Sequence, residues 1–239
     1  PGVYLSWPIE PGRLPAFVDA ARLLNIRGCS ITIPHKIDII PLLDKTSENV
    51  REMGACNTLY RDGEKICGEN TDVIGFTAPL RKRSLPPETR VLVLGAGGVS
   101  RAAIAGLRRL GLANITLTNR RKERAEALCN EFGLLCAPWE ERGDVPADLI
   151  INTTPLGMTG AQEHETPYPR AFQDNGIAYD LIYTPFQTRF LRDAAAAGWE
   201  TVSGLDMFIG QGDAQFHLWT GHHLPEEAIT AVTSALYGQ

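Results

Sequence analysis

Between residues 88 and 205 the chain alternates short aliphatic runs with stretches whose apolar positions recur at helical spacing. The clearest run, Arg90-Val-Leu-Val-Leu94, is entered through Pro86-Pro87 and leaves into Gly95-Ala-Gly-Gly. It predicts a strand, followed by a helix over 102–110 that ends near Gly111. Strands at 114–118, 148–152 and 177–182 and helices over 122–132 and 190–197 continue the pattern. Such alternation predicts a parallel sheet covered by helices on both faces. Ahead of it, residues 2–7 read as a short strand, and Leu14, Phe17, Val18 and Leu24 fall at helical spacing. Residues 30–34 read as a β-branched strand stopped by proline. Helices over 37–43 and around 48–53 follow, then a hairpin of 57–60 and 65–67 turning at Asp62-Gly63. Residues 207–219, apolar at helical spacing, lie beyond the alternating unit. The pattern predicts two domains with a boundary near residues 72–90.

Composition narrows the class. The 239 residues are 44% hydrophobic and 21% charged, as in globular proteins, and the net charge of -5 argues against a general nucleic-acid or polyanion binder. No segment approaches the ~18 consecutive apolar residues of a membrane helix, so no membrane partner is expected. The first residues resemble neither a signal peptide nor a transit sequence. Five cysteines, an odd number with no C-x-x-C, read as small hydrophobes in a reduced cytoplasm. His222 and His223 are adjacent and no H-E-x-x-H occurs, so no metal site is expected. A cytoplasmic enzyme or binding protein is the resulting expectation.

Gly95-Ala96-Gly97-Gly98-Val99-Ser100 sits between a strong strand and a helix, the setting a dinucleotide site requires. Gly95 permits the tight turn, Gly97 lets a pyrophosphate approach the helix N-terminus, and Ser100 stands where a third glycine is usual. The other reading is an ordinary glycine-rich turn. An NAD site carries an acid at the tip of the second strand; this chain has Thr118-Asn119-Arg120-Arg121-Lys122-Glu123-Arg124. Arg120 and Arg124, four apart, suit a 2′-phosphate and favour NADP, unless they are a solvated basic helix start. Lys36, after a strand end, and Asp72, before the domain boundary, have the chemistry of a proton-transfer pair. Taken singly, Lys36 also reads as a surface lysine and Asp72 as a helix N-cap.

Together the motifs resemble the shikimate dehydrogenase family. Ser30-Ile-Thr-Ile-Pro-His-Lys, Gly54-Ala-Cys-Asn-Thr-Leu, Glu69-Asn-Thr-Asp-Val-Ile-Gly, Gly95-Ala-Gly-Gly, Thr118-Asn-Arg, Asn152-Thr-Thr-Pro-Leu-Gly-Met and Gly204-Leu-Asp-Met-Phe-Ile-Gly-Gln occur in that family's order along the whole chain. The resemblance implies reversible reduction of 3-dehydroshikimate to shikimate by NADPH in aromatic amino-acid biosynthesis. It implies an α/β fold with a discontinuous α/β substrate domain, residues 1–73 and 207–239, and a Rossmann-like NADP-binding domain, residues 74–206. Lys36 and Asp72 match the catalytic pair; Ser30, Thr32, Asn57 and Gln211 match substrate contacts, and Tyr183 a tyrosine near the substrate carboxylate. Gly95, Ala96, Gly97, Gly98, Val99, Asn119, Arg120 and Arg124 match cofactor positions, as do Thr153, Leu181, Gly204 and Met207 on the nicotinamide side. Capping or loop hydrogen bonding is the other reading of Asn57 and Gln211. Members occur as monomers or homodimers.

Three departures stand out. Ser30 replaces the family's usual Asn, Pro79 falls within the helix after Asp72 and predicts a late start or a kink there, and the family's opening strand and Ser-x-Ser loop have no counterpart. The alternatives are therefore a quinate/shikimate dehydrogenase or, for a chain that starts at Pro1, a non-catalytic NADP-binding sensor.

Overall fold

The computed structural model describes residues 2–238, and their contacts divide the chain into two compact units. The first runs to Thr71 and takes in Gln215–His222; the second comprises Asp72–Ala214 and the residues from His223 onward. Among the described residues no helix is long and apolar enough to cross a membrane.

In the first unit, helix α1 (Leu14–Leu23) buries Leu14, Val18 and Ala21, a stripe at helical spacing. That stripe packs with Cys29, Ile31, Leu59 and Ile66 around a four-stranded sheet. Its strands are β1 (Gly28–Ser30), β2 (Lys45–Thr46), β3 (Thr58–Asp62) and β4 (Lys65–Glu69), in the order β1-β3-β4-β2. The first two pairings are antiparallel and the β2–β4 pairing is parallel. Helix α2 (Glu48–Met53) is capped by Ser47, whose Oγ accepts the Val50 N–H at 3.2 Å.

Three expectations for this unit fail. The strand read over 30–34 lies earlier in the chain: β1 ends at Ser30, and Ile33 and Pro34 fall in a turn, Pro34 having no N–H to give to a ladder. Residues 2–7 form no strand, and Val3, Tyr4 and Leu5 are 86%, 68% and 58% exposed. Hydrophobic pattern predicts a strand only where a neighbour offers pairing, and this segment is held by side chains instead. Tyr4 donates to Ser30 Oγ at 2.8 Å, and the Trp7 ring lies 5.8 Å from Phe17. Residues 37–43 form turns and one short 3-10 segment, Ile40–Leu42, rather than a helix. Pro41 has no N–H to return to Ile37 and so breaks the helical ladder.

Helix α3 (Thr71–Arg81) leads into the second unit. It does not start late: Asp72 lies in its first turn, and Pro79 lies inside the helix, two residues from its end, where it lacks the N–H that would bond to Gly75 O. Then come β5 (Val91–Leu94), α4 (Gly98–Arg109), β6 (Ile115–Thr118), α5 (Lys122–Phe132), β7 (Leu135–Cys136), β8 (Leu149–Asn152) and β9 (Ile177–Asp180). The chain finishes with α6 (Arg189–Ala196), β10 (Glu200–Val202), α7 (Gly204–Thr220) and α8 (Glu226–Tyr237). All six strands from β5 on are parallel, in the order β10-β9-β8-β5-β6-β7. This is the doubly wound Rossmann order, with its switch point between β5 and β8. Both faces are apolar. Val91, Val93, Leu117, Leu149 and Ile151 enter one core, and Leu92, Leu94, Ile150 and Ala178 enter the other.

The hydrophobic pattern gave no sign of β7, β10 or α8. β7 is two residues long, two of the three residues of β10 are exposed, and α8 buries no residue. Four of the five cysteines are buried and all are free. Burial pushes the thiols of Cys29 and Cys56 up to about 11 and that of Cys129 up to about 12.

Gly106 on α4 marks a close approach within the second unit. A Cβ there would stand 2.5 Å from Phe76 Cδ1 and 2.9 Å from Thr77 Cγ2. Phe76 is fully buried and stacks on Tyr179 at 5.3 Å, so it has nowhere to retreat. Gly106→Ala gains about 1 kcal/mol of helix propensity but loses about 1–3 kcal/mol to overpacking. Its urea midpoint is expected to fall below wild type; a midpoint at or above wild type would show that the core yields there.

Candidate functional site

The carboxyl ends of β5, β6 and β8 open onto a cavity of about 230 Å³ within the second unit. β5 runs into Gly95, whose φ of 115° and whose missing Cβ (it would lie 2.5 Å from Thr153 Oγ1) together exclude other residues. Gly97 caps α4 in extended backbone, and a Cβ on Gly97 or Gly98 would meet nothing within 4 Å. Open space therefore stands over the start of α4, where first-turn N–H groups lack intrahelical acceptors. Ser100 does more than pack closely. Its buried Oγ donates to Gly95 O at 3.0 Å, accepts the Gly97 N–H at 3.0 Å and lies 2.7 Å from Thr153 Oγ1. The glycine turn is thereby tied to both adjoining strands, since Thr153 Oγ1 also donates to Leu94 O at 2.8 Å.

Across the cavity lie Asn119, Arg120, Arg121 and Arg124, and no acidic side chain is among the described residues that line it. Asn119 Oδ1 accepts the Ala96 N–H at 3.3 Å and its Nδ2 donates to Arg121 O at 2.8 Å, which joins the tip of β6 to the glycine turn. Helix α5 begins at Lys122, so Arg120 precedes it and Arg124 stands in its first turn. The two share the cavity without sharing a helical face. Three guanidinium groups beside a glycine turn fit a polyanionic dinucleotide that carries a further phosphate.

The other predicted cofactor positions divide. Gly95, Ala96, Gly97, Asn119, Arg120, Arg124 and Thr153 line the cavity. Gly98 begins α4, and Val99 behind it packs on the core. Leu181 also packs on the core, Gly204 starts α7 against the Leu181–Ile182 backbone, and Met207 is buried nearby in the same cluster. Tyr183 is 41% exposed, stacks on Phe208 at 4.9 Å, and its carbonyl accepts the Tyr237 hydroxyl. Gln211 lies on α7, where its Nε2 donates to Phe208 O at 3.1 Å. Asp72 belongs to this second unit.

A second group lies at the start of β3. Within the first unit, Ser30 Oγ donates to Gln215 Oε1 at 2.7 Å, and Gln215 Nε2 donates to Thr58 Oγ1 at 3.0 Å. Asn57, 3% exposed, accepts the Thr71 N–H at 2.8 Å and thus caps the start of α3. The Thr32–Lys36 turn is stitched to the same place: Asn57 O accepts the Ile31 N–H and Lys36 O accepts the Cys56 N–H, each at 2.7 Å. Lys36 is half-buried and Thr32 is exposed.

Sequence reasoning missed Ser100 as a hydrogen-bonding residue, as well as Thr154, Trp139 and Gln162 in the cavity wall and Gln215 beside Ser30. It also missed Asn152 and Asp180, which are fully buried at the ends of β8 and β9. Burial pushes the Asp180 carboxyl up to about 7, against hydrogen bonds from Thr188, Ile182 and Asn152 that pull it down. An Asn directly before a Thr-Thr-Pro turn was the available signal for the first of them.

Comparison with known proteins agrees along the chain. Residues 1–59 match the shikimate dehydrogenase substrate binding domain, 80–141 match shikimate / quinate 5-dehydrogenase, and 204–232 match the shikimate 5'-dehydrogenase C-terminal domain. A shikimate dehydrogenase (NADP(+)) from Pelobacter propionicus is 56% identical over 241 residues, which cover 99% of this chain and 86% of that protein. Its counterpart from Oleidesulfovibrio alaskensis is 48% identical, over 98% of this chain and 85% of its own. Among solved structures, shikimate 5-dehydrogenase from Thermus thermophilus, in complex with NADP(H) and shikimate, superposes with a TM-score of 0.82. It is 35% identical and covers 96% of this chain and 86% of its own. The chain belongs to the shikimate dehydrogenase family.

Proposed function

We propose that this protein catalyses the reversible NADPH-dependent reduction of 3-dehydroshikimate to shikimate in aromatic amino-acid biosynthesis. The observation that carries the reading is the cavity at the sheet's switch point, where a glycine turn faces three arginines and no acid among the described lining residues. Family membership supplies the substrate class, because the similar proteins carry that name.

Each residue then has a role that its chemistry supports. Gly95, Ala96 and Gly97, whose own N–H groups bond to Thr118 O, Asn119 Oδ1 and Ser100 Oγ, let a pyrophosphate come close to the start of α4, where Gly98 and Val99 offer it backbone N–H groups, and Asn119, Arg120 and Arg124 take the 2′-phosphate. Thr153, Leu181, Gly204 and Met207 form the nicotinamide side. When bound, NADPH supplies the hydride that reaches the ketone carbon. The Lys36 ammonium gives a proton to the carbonyl oxygen, and its charge stabilises the negative charge that develops there. In the oxidising direction the Lys36 amine takes the hydroxyl proton. Asp72 orients that amine and accepts a hydrogen bond from a ring hydroxyl. Ser30, Thr32, Asn57 and Gln211 bond the other hydroxyls, and Tyr183 serves the carboxylate. Residues 1–73 and 207–239 make up the substrate domain and 74–206 the NADP domain. The enzyme works in the cytoplasm, as a monomer or homodimer.

Purified protein with shikimate and NADP at alkaline pH is expected to generate NADPH absorbance; none at saturating shikimate would sink the assignment. Lys36→Ala is expected to lower kcat by about 10²–10⁴-fold while the Kd for shikimate changes little. Equal losses in both would make Lys36 a binding residue only. Arg120→Asp removes a charged bond to the 2′-phosphate, so the NADP-to-NAD ratio of kcat/KM should fall about 10- to 100-fold. An unchanged ratio removes Arg120 from the phosphate site.

A further inference from the structure

We propose that Asp180 is a positioning residue for the dinucleotide site, its side chain fixing the loops after β8 and β9 in the arrangement that faces the cavity. The proposal rests on the NADP reading of that cavity. Asn152 and Asp180 close adjacent strands and stand opposite each other in the ladder. Both are fully buried, at the carboxyl edge where a doubly wound sheet receives its ligand.

Their hydrogen bonds run outward into the two loops. Asn152 Oδ1 accepts the Thr154 N–H at 2.9 Å and the Thr154 hydroxyl at 2.7 Å, while Nδ2 donates to Leu156 O at 3.1 Å and Asp180 Oδ1 at 3.0 Å. Asp180 Oδ1 also accepts the Ile182 N–H at 3.0 Å, and Oδ2 accepts the Thr188 hydroxyl at 2.6 Å. Thr188 in turn caps α6 by accepting the Leu191 N–H at 3.3 Å. Thr154 and Leu156 line the cavity, and Ile182 lies between Leu181 and Tyr183. One carboxyl group therefore sets two loops whose neighbouring residues carry the nicotinamide-side roles.

Packing alone does not call for such a group. The partners of the carboxyl are an amide, a backbone N–H and a hydroxyl, none of them cationic, and a carboxyl buried on those terms is a costly way to join two strands. Its bonds also leave the phosphate-binding residues alone: Gly95, Gly97, Arg120 and Arg124 receive none of them. Loss of the carboxylate should disturb presentation of the reacting end and spare affinity for the phosphates.

Asp180→Asn keeps the volume and replaces one acceptor with a donor. In the ligand-free protein, amide exchange at Thr154 and Leu156 is expected to speed by about tenfold or more. The Kd for NADP should stay within about threefold, while kcat falls by about tenfold or more, as a small misplacement of reacting groups requires. A lowered Tm with exchange and kcat at wild-type values would make Asp180 merely structural and overturn the proposal. Should Asp180→Asn fail to fold, Thr188→Val and Thr188→Ser decide. Val is expected to reproduce the faster exchange and lower kcat, and Ser, which keeps the hydroxyl and the cap, to restore both. Equal behaviour of the two would overturn the proposal. A wild-type protein with no turnover would end the shikimate reading instead, and exchange together with the NADP titration would still judge Asp180.

Discussion

One hydroxyl group governs the larger unit's functional edge. Ser100 Oγ, fully buried, joins Gly95, Gly97 and Thr153 through contacts of 2.7–3.0 Å. A glycine turn has the conformational freedom to approach a phosphate and, for the same reason, a high entropy to lose. Without a fixed partner it would sample many shapes. The hydroxyl holds the turn against β8 and supplies an acceptor to the Gly97 N–H at the cap of α4. A third glycine at this place would permit the close packing but could not make those bonds.

That arrangement belongs to a wider division of labour along the strands. Their middles are apolar on both faces, which fixes register and contributes most of the burial. The carboxyl ends of β8 and β9 change character: Asn152 and Asp180 are fully buried polar residues, and both are hydrogen-bonded. A buried polar group is costly unless it is hydrogen-bonded, so this pair at one edge is a commitment to particular loop shapes. Bonds from Asn152 and Asp180 run into the loops after β8 and β9.

This division also decides what could be read from the sequence. β5, the glycine turn and the arginines after β6 are contiguous, and their physics is local: an apolar run, a left-handed turn, a missing acid. They were legible. The Asn152–Asp180 pair is 28 positions apart and exists only through strand register, which no local pattern reveals. Ser100 was legible as small but not as a donor, because its partners come from β5 and β8. Residues 2–7 show the converse failure. Apolar content predicts a strand but cannot say whether a neighbouring edge is there to receive it, and Tyr4 and Trp7 found side chains instead. Pro41 outweighed the apolar spacing around it for a purely covalent reason.

The first unit poses a different problem for recognition. Two of its hydroxyl-binding candidates, Ser30 and Asn57, already have hydrogen-bond partners within the unit. Ser30 gives its proton to Gln215 and receives one from Tyr4, and Asn57 spends its side chain on Thr71 and Thr58. A polyhydroxylated ring gains little from groups so well satisfied unless it adds bonds to their remaining lone pairs or replaces a partner outright. Replacing a partner exchanges one hydrogen bond for another, a net change of about 1 kcal/mol or less. The larger benefit lies in geometry, because each of these side chains is already held in one orientation and little entropy is left to lose on binding. On this view the network around β3 acts chiefly by preorganisation, and the strength of any single hydroxyl contact matters less than the rigidity behind it.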